Sequence, residues 1–240
     1  MMNIDNLQDI SRKQQTEFGN VVREYVQHLF LSYFYQLPDS NRFLFKGGTA
    51  LRIIYESPRF SEDLDFTGQN IFSNRVIDDI FIKTIRQLEQ LGLNINLDEA
   101  KPTSGGYLGV ITFKLHGISD IIKFEVSLRP GKKKLEVDTI SGMFLPAYSL
   151  MHLNGKTIVQ EKVQAMLTRG KPRDFYDFYF MSKHHELHKY LEKDDFPEIE
   201  KAISESQIDF KRELSVLLPR SHHMIIRDFK DNLLRVIRNI

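Results

Sequence analysis

The strictest pattern in the chain is an alternation of polar and apolar residues from position 60 to position 67. Asp63 and Asp65 fall on the polar side of this pattern, whereas Leu64 and Phe66 fall on the apolar side. Because successive side chains of a strand point to opposite faces, the alternation predicts a β-strand with one buried face. The two carboxylates then share the other face, about 7 Å apart along the strand.

A pair of glycines precedes this strand. The apolar run 42–45 predicts a short strand, Gly47 and Gly48 predict a tight turn, and residues 49–55 have the composition of a helix. Two glycines let the backbone approach a ligand closely, and the start of a helix offers free N–H groups to a phosphate. Thr49 adds a hydroxyl donor. The spacing is neither that of a P-loop nor that of a dinucleotide-binding turn, so the pair alone predicts only an anion-binding turn.

Two more strands follow, and they predict an antiparallel hairpin. Residues 107–115 and 121–129 are rich in β-branched and aromatic side chains, and the turn-like residues 116–120 separate them. Glu125 belongs to a mostly polar stripe of the second strand, whose other face is apolar. It is therefore placed to join the carboxylates of the earlier strand.

The carboxylates Asp63, Asp65 and Glu125 predict a metal site. Like charges two residues apart on one strand face are unfavourable unless a cation lies between them. Hard oxygen ligands select Mg²⁺ or Mn²⁺ rather than zinc, and the chain has no cysteine to offer as a thiolate ligand. The alternative is a pair of solvated strand carboxylates that bind no metal.

Helical periodicity dominates the rest of the chain and gives an α+β fold followed by an all-α segment. Pro38 ends the first helical stretch, and Gly92 follows the next one at the position of a C-terminal cap. We predict a core with N-terminal helices over residues 1–150, and a helical domain that completes the active-site cleft over 151–240. The predicted helices cover 6–37, with a break near Gly19 as an alternative, and 49–55, 76–91, 157–169, 173–184, 197–206, 208–217 and 222–240, of which 239 and 240 lie outside the residues that the structure describes.

The charge of the chain is balanced overall but not locally. There are 33 basic and 32 acidic side chains, so the whole protein has no strong electrostatic preference for nucleic acid or membranes. Residues 101–180 carry 12 basic and 7 acidic side chains, including the run Lys132–Lys134. This run either contacts phosphate or is a solvated loop. The absence of cysteine and of a long apolar stretch is compatible with a cytoplasmic location, which we predict.

Taken together, the motifs resemble a known family. Lys46-Gly47-Gly48-Thr49-Ala50-Leu51, followed by Arg59-Phe60-Ser61-Glu62-Asp63-Leu64-Asp65-Phe66, is similar to the nucleotidyltransferase toxins of the AbiEii/AbiGii type, which belong to the DNA polymerase β-like superfamily. The segment 160–177 resembles the second signature of this family, a helical lysine followed by R-D-x-x-D. Thr49 stands where Ser is frequent, and Glu125 stands where Asp is more usual in the superfamily.

The resemblance implies a polymerase β-like core with a mixed sheet, and transfer of a nucleoside monophosphate from an NTP to an acceptor with release of pyrophosphate. It implies a toxin of a toxin–antitoxin pair that acts in abortive infection and phage defence. The acceptor would be RNA such as tRNA, and a cognate antitoxin would be the protein partner. No membrane is involved.

The resemblance and the chemistry of the residues together give the candidate site. The catalytic candidates are Asp63, Asp65, Glu125, Lys162 and Asp174, of which the first three are the metal ligands. The nucleotide-binding candidates are Lys46, Gly47, Gly48, Thr49, Arg59, Ser61, Lys162, Arg173 and Asp177.

Two other function classes stay open on the sequence. One is a non-catalytic nucleotide-binding or RNA-binding module that has kept the fold, and the other is a metal-dependent phosphohydrolase. The Asp63 and Asp65 pair argues against the binding module, because these charges repel both a phosphate and each other.

Overall fold

The computed structural model describes residues 1–131 and 133–238, which form two compact units. The first unit comprises Met1–Glu56 and Phe60–Leu153. The second comprises Ser57–Arg59 and the described residues from Asn154 onward. The second unit is thus assembled from two separate stretches of the chain.

The first unit is a seven-stranded sheet with helices, and its mixed pairing confirms the sheet that the resemblance implies. The strand order is β3-β4-β5-β2-β1-β7-β6, in which β2 pairs with β5, and β1 with β7, in parallel. The strands are β1 (Phe43–Lys46), β2 (Leu64–Gly68), β3 (Asn94–Thr103), β4 (Gly106–Leu115), β5 (Ile118–Ser127), β6 (Leu135–Ile140) and β7 (Tyr148–Leu153). The helices are α1 (Ile4–Gln14), α2 (Phe18–Phe34), α3 (Gly47–Ile53) and α4 (Asn74–Gln90).

An aromatic cluster fixes which face of the sheet is buried. Phe124 of β5 stacks on Phe81 of α4 with ring centroids 4.7 Å apart, and it lies 5.1 Å from Phe66 of β2. Phe34 of α2 packs on Phe66 at 5.1 Å. Burial of rings of this size stabilises the fold by about 1.5–3 kcal/mol each. Because neighbouring side chains alternate, the cluster turns the polar stripe of β2 and β5 to the opposite face.

The hairpin between β4 and β5 has a shorter connection than predicted. Leu115 pairs with Ile118, so only His116 and Gly117 form the loop, with φ angles of 50° and 82°. Positive φ at both central residues is typical of the type I′ turn, whose twist matches that of the strands it joins. The five-residue turn predicted at 116–120 is therefore wrong.

The strand that follows the glycine pair is also shorter than its alternation predicts. It begins at Leu64 rather than at residue 60. Gln27 of α2 donates hydrogen bonds from Nε2 to the carbonyl oxygens of Ser61 (3.0 Å) and Glu62 (3.1 Å). These side-chain contacts satisfy backbone groups that a longer strand would have paired in the sheet.

The sequence patterns missed three strands and misplaced a helix break. β3 and β6 form the two edges of the sheet and are largely exposed on both faces, so their short alternations at 94–98 and 135–138 do not indicate a buried face. β7 lies in a stretch that was expected to be irregular. The first helical stretch breaks at Gln15 rather than near Gly19, because Gln15 ends α1 in a left-handed conformation with φ of 53°.

The second unit is helical, as predicted. Its helices are α5 (Gly155–Thr168), α6 (Pro172–Lys183), α7 (Phe196–Glu205), α8 (Phe210–Leu217), α9 (His223–Arg227) and α10 (Phe229–Arg238). The last two were predicted as one helix, but Asp228 leaves the helical conformation between them. Phe175 and Phe229 pack edge-on against Phe210, so these rings form the core of this unit. Within the described residues no helix has the length and the apolar character needed to cross a membrane.

Candidate active site

Two of the predicted metal ligands are neighbours in the sheet. Asp65 of β2 and Glu125 of β5 are register partners in the parallel ladder, and Lys46 of β1 is the partner of Asp65 on its other side. Adjacent strands lie about 4.8 Å apart, so both carboxylates emerge side by side from the face opposite the aromatic cluster. Glu125 is exposed and Asp65 is half-buried. A ligand at this face can therefore reach both.

Gly47 makes room for the Asp65 carboxylate. Its φ is +81°, which favours glycine, and a Cβ at this position would lie 2.1 Å from Oδ2 of Asp65 and 2.8 Å from its Cβ and Cγ. The sequence attributed the close approach at the glycine pair to a phosphate. In the structure Asp65 itself occupies the space beside Gly47, and α3 begins at this glycine without a separate turn.

We expect Gly47→Ala to impair the site beyond its effect on the backbone. The added methyl group has to displace Asp65, so activity that depends on this carboxylate should fall at least 10-fold. Gly117→Ala is a matched control, because its φ is +82° but a Cβ there meets no atom within 4 Å. Both variants should lose about 1 kcal/mol of stability through backbone strain. If the two variants have equal nucleotidyl-transfer activities, the contact between residue 47 and Asp65 does not affect activity.

The residues just before β2 are held from two sides. Thr49 of α3 donates its hydroxyl to the backbone oxygen of Asp63 over 2.5 Å, and it is buried. Gln27, which is also buried, holds the carbonyls of Ser61 and Glu62 from α2. The sequence analysis missed Gln27, although a polar residue amid the apolar residues of a long helix is the signal that points to it. The Thr49 hydroxyl, predicted as a phosphate donor, is thus engaged in positioning Asp63.

The donor chemistry of the first unit fits a hard divalent cation. Among residues 1–131 and 133–238, no three His, Asp or Glu side chains lie close enough together to hold one metal ion. Mg²⁺, however, usually binds through one or two carboxylates and completes its coordination with water and substrate phosphates. The adjacent Asp65 and Glu125 match that requirement, while the roles of Asp63 and of the metal itself stay predictions.

The second unit contains a buried ion cluster made of three predicted site residues. Arg59 donates to Asp177 from Nε (2.8 Å, to Oδ1) and from a terminal nitrogen (3.1 Å, to Oδ2), and Lys162 Nζ donates to Oδ2 over 2.6 Å. The Arg59 and Asp177 side chains are 2% and 1% exposed, and that of Lys162 is 11% exposed. The cluster joins α5, α6 and the residues before Phe60.

Electrostatics keep this cluster ionised. Burial by itself raises the pKa of Asp177, but the charges of Arg59 and Lys162 outweigh it and hold the pKa below its ordinary value. Burial likewise disfavours the charged form of Arg59, and Asp177 overcomes this effect and raises its pKa. Two cations on one carboxylate therefore retain its charge in the interior.

The two remaining signature residues have partners of their own. Asp174 is buried at the third position of α6, where its carboxylate accepts from the backbone N–H of Lys171 (3.0 Å) and pairs with Arg169. It thereby caps a backbone N–H group at the start of α6, which is a structural role. Arg173 forms an ion pair with Glu213 at 3.6 Å. The predicted catalytic role of Asp174 and the nucleotide contact of Arg173 stay predictions.

A model of the AbiEii family, described as a nucleotidyl transferase toxin of a type IV toxin–antitoxin system, matches residues 29–233. The chain belongs to this family. The match includes β1 and β2, with the Gly47 contact to Asp65, and also α5 and α6, which carry the ion cluster. The family that the motifs resemble is thereby confirmed.

Individual relatives agree with this membership. An uncharacterized protein of Aquifex aeolicus (strain VF5) is 31% identical over 158 residues, which cover 64% of this chain and 66% of that protein, slightly less than two thirds of its length. JHP933 from Helicobacter pylori is 20% identical, with a TM-score of 0.62 over 93% of this chain and 95% of that one. MenT4, a nucleotidyltransferase toxin of Mycobacterium tuberculosis H37Rv, is 13% identical, with a TM-score of 0.65 over 100% and 91%. At these identities the two structures show the shared fold, and they confirm the predicted fold class.

Proposed function

We propose that this protein is a metal-dependent nucleotidyltransferase that transfers a nucleoside monophosphate from an NTP to RNA, with tRNA as the expected acceptor. The observation that carries the proposal is the pair of adjacent carboxylates Asp65 and Glu125, of which Asp65 fits against Gly47, in a chain of the AbiEii family. An acceptor hydroxyl attacks the α-phosphorus of the NTP, the bond from that phosphorus to the β-phosphate oxygen breaks, and pyrophosphate leaves.

Residues of the first unit would have separate roles in this reaction. Asp63, Asp65 and Glu125 would hold the divalent cations, which as Lewis acids neutralise charge on the phosphoryl oxygens and the leaving group. Glu125, the exposed member, would also draw the proton of the acceptor hydroxyl as this oxygen attacks. Lys46 and the backbone N–H groups of the glycine pair would bind the triphosphate.

The ion cluster of the second unit would have a structural role and would take no part in the chemical step. Lys162 and Arg59 were predicted as phosphate ligands, but both donate to the buried Asp177. We propose that the cluster fixes α5 against α6, so that removing any member loosens both helices. A direct contact of Lys162 with phosphate stays a prediction.

Incubation with α-³²P-labelled NTPs, one at a time, and total cellular RNA with Mg²⁺ or Mn²⁺ tests the function. Label in the RNA, together with free pyrophosphate, supports the transferase. Labelled RNA from only one NTP also identifies the donor, and sequencing of RNA 3′ ends identifies the acceptor. Release of inorganic phosphate without labelled RNA indicates the phosphohydrolase, and an unchanged NTP indicates the binding module.

The biological setting is also a proposal. Membership in a family of type IV toxins implies a cognate antitoxin, and it suggests a role in abortive infection during phage attack. Induced expression in growing cells, with and without a co-expressed candidate antitoxin, tests this setting. Growth arrest that the candidate antitoxin relieves supports it.

A further inference from the structure

A groove lies at the carboxyl ends of the two strands that carry the candidate ligands. It has a volume of about 790 Å³, within the range of about 300–1,000 Å³ of ligand pockets, and it is formed entirely by the first unit. One wall consists of residues 68–72, directly after β2, and the other consists of residues 128–131, 133 and 134 after β5. Lys132 lies outside the described residues.

The walls of this groove are tied together. Gln69 donates from Nε2 to the backbone oxygen of Lys133 over 3.1 Å, and from its own N–H to the backbone oxygen of Arg42 over 2.8 Å. The packing beneath is tight, because a Cβ on Gly68 would lie 2.6 Å from the Leu128 side chain and 2.8 Å from that of Ile71. The groove therefore has a defined shape.

The charge of the groove is of one sign. Arg129, Lys133 and Lys134 line it, and none of the described lining residues is acidic. Several cations along one wall suit a ligand with several phosphates better than a single anion. The chemistry favours a polyanion.

An aromatic side chain completes the groove. The Phe72 side chain lines it and is 94% exposed, although a phenylalanine is normally buried. A single exposed ring beside several cations is the combination with which proteins bind single-stranded nucleic acid, because bases stack on the ring while cations follow the backbone. A membrane surface is favoured instead by a broad apolar face.

The groove is also close to the candidate active site along the chain. Gly68 follows Asp65 by three residues on β2, and Leu128 follows Glu125 by three residues on β5. The groove thus begins about 10 Å along the parallel strands from the carboxylate pair. An acceptor strand in the groove would therefore lie at the ends of these strands, three residues beyond the pair.

We infer that this groove binds a single-stranded segment of the RNA acceptor, with one base stacked on Phe72 and the phosphates beside Arg129 and Lys134. The inference rests on the proposed transfer to RNA, and it adds the surface that holds the acceptor. It also favours the phosphate contact over the solvated loop for the basic run at Lys133 and Lys134.

A twelve-nucleotide uridine strand with one central 2-aminopurine and a fluorescein label tests the groove. Anisotropy of the fluorescein measures binding, and quenching of 2-aminopurine reports stacking. We expect Phe72→Ala and Phe72→Leu to weaken binding roughly 10-fold and to abolish quenching, whereas Phe72→Tyr retains both. The double variant Arg129→Gln/Lys134→Gln should reduce the slope of log affinity against log salt by about 1.4, which is about 0.7 for each lost contact.

Matched controls come from the same chain. Met224→Ala removes another apolar side chain, which is 83% exposed, and Lys83→Gln/Lys114→Gln removes two exposed charges of the first unit. Neither control should change the affinity for RNA or its dependence on salt by more than the experimental error. Thermal melting verifies that each variant is folded, and the three Phe72 variants should melt like the parent because that side chain is exposed.

The outcomes separate this inference from the proposed function. Parental binding and quenching in Phe72→Ala, an unchanged salt slope in the double variant, or binding of the parent to phosphatidylserine vesicles in place of RNA overturns the groove assignment. If a protein with such results still transfers nucleotides to RNA, the proposed function stands. Conversely, groove-dependent RNA binding without any transfer from an NTP supports the groove and overturns the transferase.

Discussion

Asp65→Asn is expected to lower the rate of nucleotidyl transfer roughly 1,000-fold, which corresponds to several kcal/mol of lost transition-state stabilisation by the cation. The substitution keeps the shape that fits beside Gly47 but removes the negative charge next to Glu125. Single-turnover incorporation of labelled nucleotide into RNA measures the effect. Because repulsion between Asp65 and Glu125 is also relieved, the melting temperature should stay the same or rise.

Asp79→Asn is the matched control for this experiment. Asp79 is an exposed aspartate on α4 of the same unit, so its loss should leave the transfer rate within twofold of the parent. A parental rate for Asp65→Asn would refute the assignment of Asp65 as a metal ligand. A loss of rate that accompanies a large drop in melting temperature would mark Asp65 as a structural residue instead.

Asp177→Ala is expected to destabilise the protein by about 3–5 kcal/mol, because Arg59 is left as an uncompensated buried charge. Lys162→Met should cost less, because the lysine is the most exposed member of the cluster. Urea denaturation measures both. Glu200→Ala is the control: it breaks the ion pair with Arg238, whose partners are 40% and 66% exposed, and it should cost less than about 1 kcal/mol. A cost for Asp177→Ala as small as that of the control would show that the cluster does not stabilise the second unit.

The pH dependence of stability has a definite sign at Asp177. Its folded pKa lies below the ordinary value of 3.8, so the folded state binds this proton less readily than the unfolded state. The stabilisation is fully present above pH 3.8 and is lost as the pH falls through the lower, folded pKa. Asp177→Asn removes this titration, and the free energy of unfolding of that variant should depend less on pH below 3.8.

The amino-acid patterns predicted the central strands because each of these has one face against the core. Phe66 and Phe124 alternate with Asp65 and Glu125, and this alternation is enough to fix which side chains share a face. The edge strand β6 was missed because its alternation covers only residues 135–138, and Leu135 and Val137 are exposed, as is Glu136 between them. So short an alternation does not distinguish an exposed edge strand from a loop.

The contacts that position the site residues were harder to predict than the identities of these residues. The motif predicted ligand contacts for Gly47 and Thr49, which stay predictions, but it did not indicate that the first accommodates Asp65 or that the second binds the Asp63 carbonyl. Gln27 was overlooked because its partners lie 34 and 35 residues away. Which distant group a polar side chain meets depends on tertiary packing, which local spacing does not encode.

The two-segment construction of the second unit limits how this protein can be divided or recombined. Arg59 is encoded ahead of the whole sheet except β1, but its carboxylate partner Asp177 comes more than a hundred residues later. A gene fragment that starts at Asn154 would carry Asp177 and Lys162 without the arginine. If the helical segment from residue 154 onward were exchanged between homologues, the Arg59 of one protein would likewise meet the carboxylate of the other. Grafts that move residues 57–59 together with the helices should retain solubility where a single crossover at residue 154 does not.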